Sequence, residues 1–278
     1  MSVCITTYQH KDFIAQCLEG VLMQRTTFGY EIIIGEDAST DGTREICLSY
    51  AARYPDKIKL ILRNREDVIF IDGKPTGRYN FIENLKAAQG KYIALCEGDD
   101  YWIDTYKLQK QVDFLESNPS YAICSGNTEI LLPNGEKKLK ELPYWKDKYE
   151  GIDLVSTYNF IPTPSVVFRK EHLDLNNINL LKVPFADLYV WLMLAERGSI
   201  KILEDTISCY RVHQGGLWSG RSQLQQHKMY VSFYKILKTD FNSKYSRISK
   251  SRIKKLKIAI LKTKLSEFMS RFRVLVNF

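Results

Sequence analysis

The stretch Ile93-Ala94-Leu95-Cys96-Glu97-Gly98-Asp99-Asp100-Tyr101-Trp102 decides the reading of the chain. A short apolar run stops abruptly on three carboxylates, a glycine and two aromatics. A run bounded in this way reads as a buried strand whose carboxyl end is exposed. In open α/β sheets, ligands sit in the crevice beyond the carboxyl ends of the strands. Clustered carboxylates there repel one another unless a positive group neutralises them, and a hard divalent cation is the usual answer. The plainer alternative is a solvated acidic turn, so the surrounding chain has to decide.

Working outward, a second strand ends in the same manner. Ile32-Ile33-Ile34 is β-branched throughout and has no polar face, as a strand covered on both sides should be, and it stops on Gly35-Glu36-Asp37. Val3 to Thr6 reads as a first strand closing on Thr7-Tyr8-Gln9-His10. Phe13, Ile14, Cys17, Leu18, Val21 and Leu22 recur at helical spacing behind it. Ile46, Cys47, Tyr50, Ala51 and Tyr54 give a second helix, with Ser39 or Asp41 as its cap. Lys57 to Leu62 is a third strand, Arg63 to Tyr79 a polar loop, and Phe81, Leu85 and Ala88 mark a short helix stopped near Gly90. This alternation predicts βαβ units and a mainly parallel sheet sandwiched by helices. Leu108, Val112 and Leu115 then mark a helix that ends before Asn118-Pro119.

The second half is less regular. Tyr121 to Cys124, Ser165 to Phe168, Ile200 to Leu203 and Ile207 to Arg211 read as strands, with Pro133-Asn134-Gly135 as a turn. Leu188, Trp191, Leu192 and Ala195 form a helical stripe, and Asp187 stands at its start, where the helix dipole favours a carboxylate. Val212 to Gly220 is a glycine-rich loop. Two units are expected: residues 1–220, and a basic, amphipathic helical extension over 221–278.

Composition narrows the partners. The 278 residues carry a formal net charge of +8. From Lys244 to Lys264 nine basic residues follow one another without an acid. Such a tail implies a partner with negative charge. Leu261, Leu265, Phe268, Phe272 and Leu275 step by three and four on its other side, which fits either packing on the domain or lying on an anionic membrane surface. No run is long enough to span a bilayer and no signal-peptide pattern appears. The six cysteines are scattered singly with no C-x-x-C spacing, so they read as reduced core residues of a cytoplasmic protein. The chain lacks both G-x-x-x-x-G-K-[ST] and a G-x-G-x-x-G after its first strand, which disfavours a P-loop ATPase or a dinucleotide oxidoreductase.

Taken in order, Thr6-Thr7-Tyr8, Glu36-Asp37-Ala38-Ser39-Thr40-Asp41-Gly42-Thr43, Gly90-Lys91-Tyr92-Ile93 with Glu97-Gly98-Asp99-Asp100-Tyr101-Trp102, Phe185-Ala186-Asp187 and Tyr210-Arg211-Val212-His213 resemble the family-2 glycosyltransferases of GT-A fold, of the bacterial surface-polysaccharide type. The likeness covers roughly residues 2 to 220. It implies an inverting, metal-dependent transfer of a hexosyl or N-acetylhexosaminyl group from a nucleotide diphosphate sugar, usually a UDP-sugar, to a hydroxyl of a glycan or lipid-linked saccharide. By that resemblance Thr6 and Tyr8 line the nucleoside pocket, Asp37 accepts from the base, and Glu36 faces the ribose. Asp99 is the main ligand of Mn²⁺ or Mg²⁺, with Glu97 in the place of the first Asp of the family's D-x-D. Gly98 lies between them, His213 approaches the metal or diphosphate from the mobile loop, and Asp187 is the catalytic base. Arg78 falls just before a donor-site element. Trp102 and Trp191 are expected to be packing residues.

The chemistry agrees with those roles. A nucleoside diphosphate leaves poorly until its developing charge is neutralised. Inversion needs a base on the face opposite the leaving group, hence a carboxylate remote in sequence from the acidic cluster. Localisation is expected to be cytoplasmic, peripheral at the inner face of the membrane. A nucleotidyltransferase is disfavoured because Thr6 to Lys11 lacks a Gly-rich, Lys-bearing signature. A non-catalytic binding protein is disfavoured because suitable groups stand at every position, and nucleic acid is the less favoured partner of the tail.

Overall fold

The computed structural model describes residues 1–71, 73–216, 218 and 220–276. The first half runs β1 Ser2–Thr7, α1 Ile14–Leu22, β2 Glu31–Glu36, α2 Thr43–Arg53, β3 Ile58–Leu62, β4 Phe70–Ile71, β5 Lys74–Pro75, α3 Arg78–Ala87, β6 Tyr92–Glu97, β7 Tyr101–Trp102 and α4 Lys107–Ser117. The second runs β8 Tyr121–Leu131, β9 Lys137–Leu139, α5 Gly151–Ser156, β10 Val167–Arg169, α6 Ala186–Ala195, β11 Ser199–Arg211, α7 Gln223–Leu237 and α8 Ser246–Val276.

Among the described residues nine strands form one sheet in the order β3-β2-β1-β6-β10-β8-β11-β7, with β9 along β8. The strands β1, β2, β3 and β6 run parallel, while β10 is antiparallel to both β6 and β8. Strand order reverses between β1 and β6, so the crevice beyond their carboxyl ends is the topological switch point where ligands collect. Ile32, Ile33 and Ile34 are all fully buried because both faces of β2 are covered. The period of two divides the core: Val3, Ile5, Ile32, Ile34, Ala94 and Cys96 join the cluster under α1, α2 and α4. Cys4, Ile33, Ile93 and Leu95 join the one under α3, α6 and α7. All six cysteines are free and buried, and no helix among the described residues is long and apolar enough to cross a membrane.

Several elements differ from the sequence reading. The two strands expected over 200–211 are one strand whose register slips near Glu204 and Asp205, both exposed. That polar step reads as a break in sequence but is a bulge in the sheet. Ser165 lies in a 3₁₀ turn ahead of β10, and the Pro133–Gly135 turn, with Gly135 at φ 84°, joins β8 to β9. The polar loop over 63–79 holds the small β4–β5 ribbon.

Phe233, Tyr234 and Leu237 of α7, with Tyr245, are buried in the same cluster as α6. The first turns of α8 pack there too, with Ile248, Ile253 and Leu256 partly buried. Further along, Ile258, Leu261, Leu265 and Met269 are exposed. The side chains of Phe268, Phe272 and Leu275, and residues Leu217 and Ser219 of the glycine-rich loop, lie outside the described residues.

Candidate active site

The loops that follow β1 and β2 are fastened to each other at the switch point. The Gln9 N–H donates to Ser39 Oγ at 3.0 Å, and Gln9 Oε1 accepts from the Thr40 and Asp41 amides at 3.0 and 3.2 Å. The His10 N–H donates to Thr43 Oγ1 at 2.8 Å, and the Lys11 N–H to Asp41 Oδ2 at 3.0 Å. Asp41 Oδ1 also accepts from the Thr43 amide at 3.0 Å, an Asx turn that leads into α2 through Gly42, its left-handed N-cap. Gln9 and Ala38 both hold φ 57°, strain that the interlocked loops sustain beside the crevice.

The strand end of β6 supplies the acidic centre. One carboxylate oxygen from each of Glu97, Asp99 and Asp100 lies within 4.8 Å of the others. Asp99 Oδ2 stands 3.0 Å from His213 Nε2 and 3.7 Å from His10 Nε2. Burial pushes the Glu97 carboxyl up to about 8, and the charges of Asp99 and Asp187 push the same way. Burial acts on Asp99 likewise, but the His213 hydrogen bond and the charge of His10 overcome it and hold that carboxyl low. Asp100 is raised by burial and by its acidic neighbours; its Oδ1 accepts the Arg211 N–H at 2.8 Å, and its buried Oδ2 has no protein partner. Three converging carboxylates and an orphaned buried oxygen are a donor set suited to a hard divalent cation.

Gly98 is required by closeness. A Cβ there would stand 2.6 Å from Thr7 Oγ1 and 2.8 Å from His10 Nδ1. Its amide donates to the Thr6 carbonyl at 2.9 Å, fixing Glu97 and Asp99 against the end of β1. On the other side Arg211 ties β11 to the acidic turn, its Nε donating to the Asp99 carbonyl at 2.8 Å and its guanidinium lying 4.8 Å over the Phe13 ring.

Asp187 reaches this centre from the first turn of α6. Its Oδ2 accepts from Asn159 Nδ2 at 2.7 Å. Burial raises its pKa, opposed by the Leu188 amide, the charge of Arg78 and the Asn159 bond. A carboxylate pushed towards basicity and steadied in one orientation has the make-up of a general base. Among the described residues α6 has no side-chain cap bond, and the Asp187 charge acts on Glu97, so the carboxylate is not spent on capping its helix.

At the other end of the crevice Asp37 Oδ2 accepts from Arg65 Nη1 at 2.8 Å, and the same guanidinium lies 4.0 Å over the Tyr8 ring. Burial raises Asp37 while Arg65 pulls it back. Tyr8 is exposed and Thr6 half-buried, so both line open space above the strand ends. One expected donor contact is placed differently. Glu36 is fully buried, with Oε1 taken by the Ser39 amide at 2.6 Å and Oε2 by Arg44, so it locks the strand-to-helix turn and faces no ribose. Arg78 is buried and donates to the Leu180 carbonyl; burial lowers its pKa and the charge of Asp187 opposes that. Trp102 and Trp191 are buried packing residues.

Sequence reasoning passed over His10, Arg65, Asn159 and Tyr210. His10 closes the first strand and was quoted for its position only. Tyr210 sits among Glu97, Asp100, Asp99 and Asp187, whose charges, after burial, raise its pKa. It belongs to the same segment as His213, which was the available signal.

The model of glycosyl transferase family 2 matches residues 2–174. An uncharacterised protein of Mycobacterium tuberculosis, Rv1520, is 37% identical over 218 residues, 78% of this chain and 60% of its own length. The chain thus spans about 60% of that relative. The Escherichia coli protein WfaP, a UDP-Glc:α-D-GlcNAc-diphosphoundecaprenol β-1,3-glucosyltransferase, is 28% identical over 222 residues, 78% of this chain and 79% of its own. Among solved structures, Staphylococcus aureus TarS 1–349 in complex with UDP-GlcNAc superposes with a TM-score of 0.60 at 19% identity, covering 92% of this chain and 70% of that one. At that identity the likeness establishes a shared GT-A fold.

Proposed function

The chain belongs to the family-2 glycosyltransferases, and from that premise we propose that it transfers a hexosyl or N-acetylhexosaminyl group from a UDP-sugar, with inversion, to a hydroxyl of a lipid-linked or glycan acceptor in surface-polysaccharide synthesis. The observation that carries the reading is the meeting of two acidic groups from distant parts of the chain. Glu97 and Asp99 lie at one strand end, and Asp187, on another element, is near enough for its charge to raise Glu97.

Tyr8, Thr6, Asp37 and Arg65 form the nucleoside end. Asp99, with Glu97 and His213, would hold Mn²⁺ or Mg²⁺, and such a cation, when bound, neutralises the charge that develops on the diphosphate. Asp187 takes the proton of the acceptor hydroxyl as its oxygen bonds to the anomeric carbon. The bond from that carbon to the diphosphate oxygen breaks in the same displacement, and the nucleoside diphosphate leaves with the electron pair. Asn159 keeps the Asp187 carboxylate aimed throughout.

We read the far end of α8 as a peripheral contact with the anionic inner face of the membrane. Exposed Ile258, Leu261, Leu265 and Met269 lie on a helix whose exposed flanks carry Lys254, Lys255, Lys257, Lys262 and Lys264. Each lysine near such a surface contributes about 1 kcal/mol.

The test is a screen of UDP-, GDP- and dTDP-sugars with Mn²⁺ and with EDTA, followed by Asp187→Asn on the donor that responds. A fall in kcat of about 10²–10⁴ with donor KM little changed is expected. No response to any donor, or full activity in Asp187→Asn, overturns the corresponding assignment.

A further inference from the structure

The chain carries a groove outside the donor side. It has a volume of about 360 Å³ and is lined by Asn127, Leu139, Lys140, Glu141, Leu142 and Trp145. The lining is of two kinds, with an apolar floor of Leu139, Leu142 and Trp145 and a polar rim of Asn127, Lys140 and Glu141. A pyranose ring has the matching surfaces: a face of C–H groups that packs on an aromatic ring, and hydroxyls that need donors and acceptors.

Trp145 is half exposed, at 50%, although the turn bearing it is tied down on both sides. The Tyr144 hydroxyl donates to Asp153 Oδ1 at 2.5 Å and Lys146 Nζ to the same oxygen at 2.6 Å. The Lys146 N–H donates to the Tyr149 hydroxyl at 3.0 Å, which in turn donates to the Tyr144 carbonyl at 2.7 Å. Tyr149 itself is fully buried. An indole left in water on so firmly anchored a turn is a presented contact surface, pre-organised at no further entropic cost.

One segment links the groove to the transfer centre. Lys140 Nζ lies 6.0 Å from the Tyr158 ring centre, and burial lowers its pKa against the opposing charge of Asp187. The Tyr158 hydroxyl donates to the Glu141 carbonyl at 3.3 Å. The next residue, Asn159, is the one that holds Asp187 at 2.7 Å. Two consecutive residues, Tyr158 and Asn159, therefore tie the groove wall to the base.

We propose that this groove is the acceptor subsite: a pyranose of the acceptor saccharide stacks on Trp145, its hydroxyls meet Asn127, Lys140 and Glu141, and its reacting hydroxyl is presented to Asp187. The proposal rests on the glycosyltransferase reading above. Its test uses the full chain, the UDP-sugar that responds in the donor screen, and octyl glucosides and octyl N-acetylglucosaminides as acceptor probes. The expected result is that at least one octyl glycoside accelerates UDP release. Trp145→Ala then raises the KM for that glycoside tenfold or more with donor KM held within twofold, and Trp145→Phe, which keeps a ring, recovers most of the loss. Absence of UDP release from every donor overturns the glycosyltransferase reading itself. UDP release that no octyl glycoside accelerates, an unchanged acceptor KM in Trp145→Ala, or a parallel rise in donor KM overturns the subsite alone.

Discussion

Lys107 offers the sharpest physical test of how the acidic turn is built. It opens α4 fully buried, donates to Gln111 Oε1 at 2.8 Å, and lies 4.2 Å over the ring of Trp102, the last residue of the acidic turn. Burial pulls its pKa from 10.5 down to about 7. A drop of about 3.5 pH units at 1.36 kcal/mol each is a penalty on the folded state of roughly 5 kcal/mol wherever the unfolded lysine is protonated and the folded amine must lose or bury its charge. The folded pKa is depressed, so the penalty is complete only below pH 7, shrinks as pH rises through it, and vanishes above about 10.5. Between pH 7 and 9 the native chain should therefore gain about 2 kcal/mol from this group alone. Lys107→Met removes that gain. It also leaves Gln111 Oε1 without its donor, a cost of about 1–3 kcal/mol that does not change with pH. Urea unfolding of both proteins at pH 7, 8 and 9, followed by circular dichroism, separates the two terms. The stability difference should move in favour of the native lysine by about 2 kcal/mol across that range, whatever its value at pH 7. Parallel pH curves would mean that Lys107 keeps an ordinary pKa inside the fold, and would refute the reasoning.

The remaining expectations concern the crevice and the tail. Gly98→Ala places a Cβ 2.6 Å from Thr7 Oγ1 and 2.8 Å from His10 Nδ1, so the acidic turn must shift. Thermal melts should show a loss of about 1–3 kcal/mol, and sugar transfer should fall at least tenfold; transfer at the native rate would mean that the position of Asp99 is not critical. Leu261→Ser combined with Leu265→Ser should cut co-sedimentation with vesicles rich in anionic phospholipid at least tenfold, with transfer to soluble acceptors unchanged. Unaltered sedimentation would detach the exposed stripe of α8 from any membrane role.

How much of this was legible depended on whether a residue's role is local. The parallel core could be read because Ile32, Ile33 and Ile34 are buried by their own strand's period, and the acidic turn because its residues are consecutive. Glu36 was misplaced because its neighbour Asp37 shares its charge but points elsewhere; only the coordinates show Arg44 and the Ser39 amide closing on it. Arg63 donates to Asn80 and Asn84, whose amides in turn hold the carbonyls of Gly35 and Ile5, a network spread across three elements with no spacing to betray it. A Cβ on Gly35 would come within 1.9 Å of Asn80, a requirement no motif encodes. The tail was readable as basic and amphipathic, but where its packed face gives way to its exposed one depends on where α7 and α5 end.

The sheet itself divides the proposed reaction. The strands β2, β1 and β6 run parallel, and their carboxyl ends carry Asp37, Thr6 and the acidic turn, the side proposed to handle the nucleotide. The chain then changes direction: β10 is antiparallel to β6, and the hairpin β8–β9, with the segment over 140–159 and α6, brings Lys140, Trp145, Asn159 and Asp187 to the opposite side. Glu97 lies at the seam, under the charges of both Asp99 and Asp187. Changes on the parallel side should then act on donor KM, and changes on the antiparallel side on acceptor KM. Residues at the seam and the base Asp187, which faces it, should lower kcat with both substrates saturating. A division of that kind lets the acceptor wall vary with the glycan being built while the donor side stays fixed by the geometry of three parallel strand ends.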